Sequence, residues 1–156
     1  MPYLLPSPTT INRFWQPKKG LESHDLSNFS FLSPSNLSTG NRVATIGKAL
    51  GMNVIIADRK GVPSTSIRSG RTDFITALKS STVIILALPL SPSTTNLISA
   101  EEFKLMRPDA ILINVSRGGI VNEDDLVAAL KEKRIRGAAT DVYVEEPAGR
   151  ENVLVR

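Results

Sequence analysis

The sequence predicts an α/β protein with a doubly wound parallel sheet, and three observations support this fold class. Short runs rich in β-branched residues occur at 53–57, 82–88 and 110–115, as expected for strands buried on both faces. Amphipathic segments with helix-capping signals separate these runs. The 156 residues, 41% hydrophobic and 22% charged, have the composition of one globular domain. Strands that alternate with helices imply right-handed crossovers and therefore parallel strands.

The chain changes character near residue 40. Residues 1–39 are rich in proline, serine, threonine and asparagine, so we predict an irregular or disordered N-terminal segment before a domain at 40–156. NFSFL at 28–32 is the most strand-like part of this segment. We expect it to fill the first-strand position, which the remaining sequence leaves incomplete.

The first predicted helix covers NRVATIGKALG, in which Val43, Ile46 and Leu50 share one face. Gly51 follows as a stop signal. NVIIA at 53–57 then reads as a strand.

The middle of the chain repeats this pattern. We expect a short edge strand near Ser66–Arg68, a helix with Thr72 as its N-cap, and a buried strand at 82–88. Ser99 and Glu102 have the spacing of a capping box for the following helix.

The last part predicts a strand at 110–115, a helix that Asn122 caps, and a strand at 137–143.

Composition argues against several classes of function. The net charge of +4 is mild, and the basic cluster KEKRIR at 131–136 ends a predicted helix, so nucleic-acid binding is not expected. The chain has no cysteine, and its single histidine, His24, lies in a serine-rich segment without partners, so no metal site is expected. No apolar run is long enough to span a membrane and no secretory signal is present, so we expect a cytoplasmic protein without membrane contact.

Asp58 is the first candidate functional residue. In a parallel α/β sheet, an acidic residue that ends the second strand can accept hydrogen bonds from the adenosine ribose of a dinucleotide. An ordinary turn aspartate is the alternative. Arg59 and Lys60 follow directly. A nearby arginine can accept the additional phosphate of NADP, but the Asp58 carboxylate repels a phosphate, so the sequence favours NAD without excluding NADP.

Arg117 follows the predicted strand 110–115 and precedes two glycines. Open parallel sheets bind ligands at the carboxyl ends of their strands. A guanidinium there can bind a carboxylate through two hydrogen bonds. A solvated strand-end arginine is the alternative.

The glycine-rich loop of dinucleotide-binding proteins should precede the first helix. A G-x-G-x-x-G pattern that ends at Gly40 would need glycine at 35 and 37, where the chain has Ser35 and Leu37. Because a side chain at the second position intrudes on the pyrophosphate, we expect weak dinucleotide binding.

From about Gly40 to Val155 the chain resembles the cofactor-binding domain of the D-isomer-specific 2-hydroxyacid dehydrogenases, the group that includes glycerate, hydroxypyruvate and glyoxylate reductases and phosphoglycerate dehydrogenase. The matching pieces are ALGMNVIIADR, LALPLSPSTTNLIS, LINVSRGGIVNEDDLVAAL and GAATDVYVEEP. The resemblance implies a Rossmann-like fold and hydride transfer between NAD(H) and C2 of a small 2-hydroxy or 2-oxo acid. It also implies a homodimer.

The resemblance assigns roles to individual residues. Arg117 matches the arginine that holds the substrate carboxylate and the reacting carbonyl. Glu146 matches the glutamate that pairs with the catalytic histidine and keeps it protonated. Asp141 matches the aspartate that binds the nicotinamide amide, although a polar strand cap is its alternative. The residues that match the nicotinamide and ribose side are Leu88, Pro89, Thr94, Val115, Ser116 and Arg117.

The chain departs from the family pattern in three places. Where the family has a Thr-Pro-His tripeptide with the catalytic histidine, this chain has Arg156 after NVLV. The glycine loop is altered, and no relic of a substrate domain is evident in residues 1–39. We therefore expect a truncated, impaired dehydrogenase domain. The alternatives are a non-catalytic dinucleotide-sensing or protein-interaction module and a fragment without independent function.

Overall fold

The computed structural model describes residues 28–32 and 38–155. The strands in chain order are β1 (Asn28–Leu32), β2 (Asn53–Ala57), β3 (Val83–Leu86), β4 (Ile111–Asn114) and β5 (Gly137–Thr140). The helices are α1 (Ser38–Ala49), α2 (Phe74–Ser80), α3 (Ala100–Leu105) and α4 (Glu123–Lys131). The α/β fold class predicted from the sequence is confirmed.

The strand order of the sheet is β2-β1-β3-β4-β5, and every pair is parallel. β1 lies between β2 and β3 and pairs with both, so the prediction that NFSFL fills the first-strand position is confirmed. Within the segment 1–39, Asn28–Leu32 forms β1 and α1 begins at Ser38. β1 pairs with backbone groups of β2 and β3 that would otherwise be left without partners. The division into domains stays a prediction.

Side chains on the two faces of the sheet enter two separate apolar clusters. Ile84, Leu86 and Leu112 belong to the larger cluster, which also contains Phe74 from α2 and Phe103 from α3. On the smaller side, the buried residues Val83 and Ala87 are accompanied by partly buried apolar side chains from α1, β2, β3, β4 and the turn before β2: Val43, Met52, Val54, Ile85 and Ile113. Helices therefore cover both faces, as in a doubly wound sheet.

The buried face of α1 consists of small residues and is not centred on the apolar face identified in the sequence. Ile46 and Leu50 are 58% and 69% exposed, whereas Gly40, Ala44 and Gly47 are buried. Small residues at this spacing allow the helix backbone to lie close to the sheet, while the larger side chains of Ile46 and Leu50 face away from it.

Two predictions between β2 and α2 are wrong. Ser64–Ser66 forms a 3-10 turn after Pro63 instead of the expected edge strand. The backbone of Thr72 bonds the end of β2, with the Thr72 amide donating to the Ile56 carbonyl at 2.9 Å. Thr72 is thereby part of the sheet edge, and Asp73 is the N-cap of α2.

The other two helix caps are confirmed. Ser99 and Glu102 form the capping box of α3, and the Asn122 side chain accepts a hydrogen bond from the Asp125 amide at the start of α4. Among the described residues, no helix has the length and apolar character needed to cross a membrane.

Candidate functional site

A cleft of about 490 Å³ opens beyond the carboxyl ends of β2 and β3. The carboxyl ends of parallel strands are where open α/β sheets bind ligands. Its volume is within the range of about 300–1,000 Å³ that is common for small-molecule sites. The residues that line it are Ala57, Asp58, Arg59, Lys60, Arg68, Arg71, Phe74, Leu88, Pro89, Ser91, Ser93, Thr94 and Leu97.

Asp58 lies at one end of this cleft and is 3% exposed. Its carboxylate accepts hydrogen bonds from the backbone amides of Arg59 at 2.7 Å and Arg68 at 2.9 Å. The Arg68 guanidinium donates to the same carboxylate, with Nε at 3.0 Å from Oδ1. These hydrogen bonds, first of all those from the Arg68 side chain, hold the pKa of Asp58 well below its usual range.

The lowered pKa of Asp58 leads to a prediction about stability. Because the pKa of Asp58 is lower in the folded than in the unfolded protein, its carboxylate stabilises the fold at pH values above its unfolded-state pKa of about 4. This stabilisation is lost as the pH falls through the folded-state pKa. Asp58→Asn is therefore expected to lower the free energy of unfolding near neutral pH, with a difference from wild type that shrinks below about pH 4. Urea unfolding at several pH values measures this. Asp124→Asn, at an exposed position of α4, is the control. If the loss of unfolding free energy in Asp58→Asn were as large at acid pH as near neutral pH, the lowered pKa of Asp58 would be contradicted.

The other end of the cleft is formed by a tight turn after β3. The Thr94 hydroxyl donates to the Pro89 carbonyl at 2.8 Å and accepts from the Ser91 amide at 2.7 Å. Thr94 therefore stabilises the turn that places Pro89 beside the cleft.

Ser116 connects this turn to the end of β4. Its buried hydroxyl donates to the Leu88 carbonyl at 2.6 Å and accepts from the Leu88 amide at 2.7 Å. The predicted strand 82–88 ends at Leu86, and the backbone of Leu88 pairs with this side chain instead. Ser116 thus holds the loops after β3 and β4 against each other.

Arg117 lies directly beyond Ser116 in an exposed position. Its guanidinium donates to the Ser116 carbonyl at 2.7 Å. The buried Asn114 fixes the backbone of this turn, because its amide group donates to the Arg117 carbonyl at 3.0 Å and its side-chain oxygen accepts from the Ser116 amide at 3.1 Å. Sequence reasoning missed Asn114, although a polar residue in an apolar strand was an available signal.

The turn after β4 packs tightly on the segment after β5. A Cβ at Gly118 would lie 1.7 Å from the Tyr143 carbonyl oxygen, so the two backbones touch here. The Tyr143 amide in turn donates to the Glu146 carboxylate at 3.0 Å. This contact places the segment that carries Glu146 beside the turn that carries Arg117.

Glu123 is a further residue that the sequence analysis missed. One carboxylate oxygen accepts from the Val144 amide and the other from the Asn152 side chain, both at 2.8 Å. The first residue of α4 thereby anchors the segment after β5. In the sequence, an acidic residue at the start of a helix indicated only the usual stabilisation of the helix dipole.

The predicted site residues fall into two groups. Asp58, Leu88, Pro89 and Thr94 line the cleft. Val115, Ser116, Arg117, Asp141 and Glu146 lie at or after the carboxyl ends of β4 and β5, where Val115, Arg117, Asp141 and Glu146 are exposed. Gly40 is buried in α1, and the altered glycine positions at 35 and 37 and His24 lie outside the described residues. The roles of these residues stay predictions.

Comparison with known proteins gives one consistent family. Residues 15–156 match the model of the D-isomer specific 2-hydroxyacid dehydrogenase, NAD binding domain. A glyoxylate reductase from Thermococcus litoralis is 44% identical over 110 residues, which are 69% of this chain and 33% of that protein. This chain thus spans about a third of the length of that curated relative.

Solved structures agree with the sequence match. The crystal structure of D-lactate dehydrogenase with NAD+ from Lactobacillus jensenii has a TM-score of 0.68 and 32% identity, covering 84% of this chain and 40% of that one. A probable 2-hydroxyacid dehydrogenase from Rhizobium etli in complex with NADP has a TM-score of 0.70 and 25% identity, covering 88% and 45%.

Proposed function

This chain belongs to the D-isomer specific 2-hydroxyacid dehydrogenase family through its NAD-binding domain, and from that premise we propose that it binds a nicotinamide dinucleotide across the carboxyl ends of its strands. The cofactor would transfer a hydride to or from C2 of a small 2-oxo or 2-hydroxy acid. The observation that carries the proposal is the Ser116–Leu88 hydrogen-bond pair, which joins the cleft at β2 and β3 to the Arg117 turn.

The described residues fit both ends of such a cofactor. Asp58 and its cationic neighbours stand where the adenosine ribose would lie. Leu88, Pro89 and the 49% exposed Val115 offer apolar surface for a nicotinamide ring. We propose that Asp141, exposed just beyond β5, receives the nicotinamide amide.

Arg117 would bind the carboxylate of the substrate. The side chain of Asn114 holds the backbone of the turn that carries Arg117. A bidentate contact of the guanidinium with the carboxylate would orient C2 toward the nicotinamide. Glu146 would pair with an imidazole that serves as the general acid.

A polypeptide of these 156 residues holds one histidine, His24. We propose that catalysis by these 156 residues alone is impaired, and a non-catalytic dinucleotide-sensing or protein-interaction module is the second candidate function. Location in the cytoplasm and assembly as a homodimer remain further parts of the proposal.

Titration with reduced dinucleotide, followed by nicotinamide fluorescence, tests the proposed binding. We expect saturable binding that is no tighter than micromolar, because Ser35 and Leu37 replace the glycines of the pyrophosphate loop. Asp141→Asn should weaken binding several-fold, whereas the control Asp124→Asn, on the exposed face of α4, should not. If neither NADH nor NADPH bound, the proposal would be refuted.

A further inference from the structure

The carboxylate of Asp58 already has its hydrogen-bond partners within the protein. Two backbone amides and the Arg68 side chain donate to its two oxygens, and the residue is 3% exposed. An ionised carboxylate has about four acceptor positions, and these donors occupy them. The hydroxyls of an unmodified adenosine ribose would therefore have to displace Arg68 in order to bind Asp58.

The surroundings of Asp58 are cationic. Arg59, Lys60, Arg68 and Arg71 line the cleft together with this single carboxylate. Lys60 also contacts the buried Glu102, with 2.7 Å between Nζ and Oε1. Even with Glu102 included, four cations face two anions, so the described part of the cleft has an excess of positive charge.

The arginines are close enough to repel one another. Burial lowers the pKa of Arg71, and the positive charges of Arg68 and Arg59 lower it further, against an opposing effect of the Asp58 carboxylate. A bound anion with two charges would relieve this repulsion. A phosphate monoester carries about −1.5 to −2 charges at neutral pH and offers three acceptor oxygens.

Asp58 has a definite role in this arrangement. It holds the Arg68 guanidinium at the edge of the cleft through several hydrogen bonds, and it fixes the backbone of Arg59 through the amide. Its own charge is compensated by Arg68. The repulsion that favours NAD over NADP in the sequence interpretation is thereby reduced.

We propose that this end of the cleft is a subsite for a phosphorylated adenosine ribose, so that the chain prefers the 2′-phosphorylated dinucleotide NADP(H) to NAD(H). Arg59, Arg68 and Arg71 bind the phosphate, and Asp58 is the positioning residue that holds Arg68. The inference rests on the proposed function and specifies the cofactor of the same site.

The test compares affinities. NADPH and NADH are titrated by fluorescence, and 2′,5′-ADP and 5′-ADP by calorimetry. We expect the 2′-phosphorylated member of each pair to bind at least about tenfold more tightly, with an affinity that falls as salt rises. Arg59→Gln should weaken NADPH binding more than NADH binding and so reduce this preference, because the lost contact is to the phosphate. Arg134→Gln, an exposed arginine paired with Glu132, is the matched control.

A second variant tests the role of Asp58. Arg68→Gln frees the carboxylate for ribose hydroxyls, so NADPH affinity should fall while NADH affinity rises. Equal or tighter binding of NADH by wild type would overturn the inference and leave the proposed function intact. Equal weakening of both cofactors by Arg59→Gln would also overturn it. Failure of both dinucleotides to bind would overturn the proposed function and this inference together.

Discussion

Gly118→Ala is expected to destabilise the fold and to displace the segment that carries Glu146. The new Cβ would lie 1.7 Å from the Tyr143 carbonyl oxygen, 2.1 Å from its carbon and 2.7 Å from the Val144 nitrogen. These are backbone atoms, so no side-chain rotation relieves the overlap. Overpacking typically costs about 1–3 kcal/mol, and we expect a value at or above the upper end.

The displacement should also reach the candidate site. The Tyr143 amide holds the Glu146 carboxylate, and the Val144 amide is held by Glu123, so a shift of the peptide between Tyr143 and Val144 strains both contacts. Hydrogen exchange at residues 142–152 should therefore become faster in Gly118→Ala than in wild type.

The chain offers a matched control for this variant. At Gly149 the nearest atom to an added Cβ is the Glu151 nitrogen at 4.0 Å. Gly149→Ala adds the same methyl group to the same segment and should leave the free energy of unfolding, measured with urea, close to wild type. Equal stability of the two variants would show that the Gly118 contact is easily relaxed.

Gly118 also illustrates what the sequence could predict. Arg117 followed by two glycines indicated a functional turn, but this pattern did not distinguish a glycine needed for close packing from one needed for its backbone angle. The structure separates them, since Gly118 meets backbone while Gly119 has a φ of +79°. The need for close packing at Gly118 arises only because the segment after β5, which is distant in sequence, lies against it.

The same limit applies to the fold. Strand runs and capping signals are local, and they predicted the parallel sheet, the Ser99–Glu102 box and the Asn122 cap. The buried face of α1 depends on how closely the helix approaches the sheet, so the shared apolar face did not show that Ile46 and Leu50 are exposed. The Arg68 partner of Asp58 was missed because it lies ten residues away, in a segment interpreted as an edge strand.

A polypeptide of these 156 residues is expected to reduce 2-oxo acids at a rate far below that of a complete site. As a hydride arrives at C2, negative charge develops on the carbonyl oxygen, and a positioned acid has to supply a proton. General acid catalysis is typically worth about 10²–10⁴ in rate. The arginine at 117 does not serve as this acid, because a guanidinium keeps its proton near neutral pH.

The remaining acid candidates are weak. His24 is the one histidine of the chain, and it belongs to a serine-rich stretch with no predicted anchor at the strand ends. Arg117 and Glu146 are both exposed, so water screens their charges and competes for their hydrogen bonds. Exposure therefore weakens the contact between Arg117 and the substrate carboxylate without preventing it, while proton delivery is inefficient.

The assay follows the absorbance of the reduced nicotinamide with hydroxypyruvate, glyoxylate and pyruvate. We expect turnover about 10²–10⁴ below that of a dehydrogenase with a positioned acid, and a partial increase when imidazole is added as an external proton donor. That increase should require Arg117, so Arg117→Ala should abolish it while Arg134→Ala, at an exposed arginine paired with Glu132, should not. Rapid turnover without imidazole that Arg117→Ala abolishes would show that another group of this chain, or of a second copy, supplies the proton. An imidazole effect that survives in Arg117→Ala would instead show that the reduction does not use the proposed carboxylate contact.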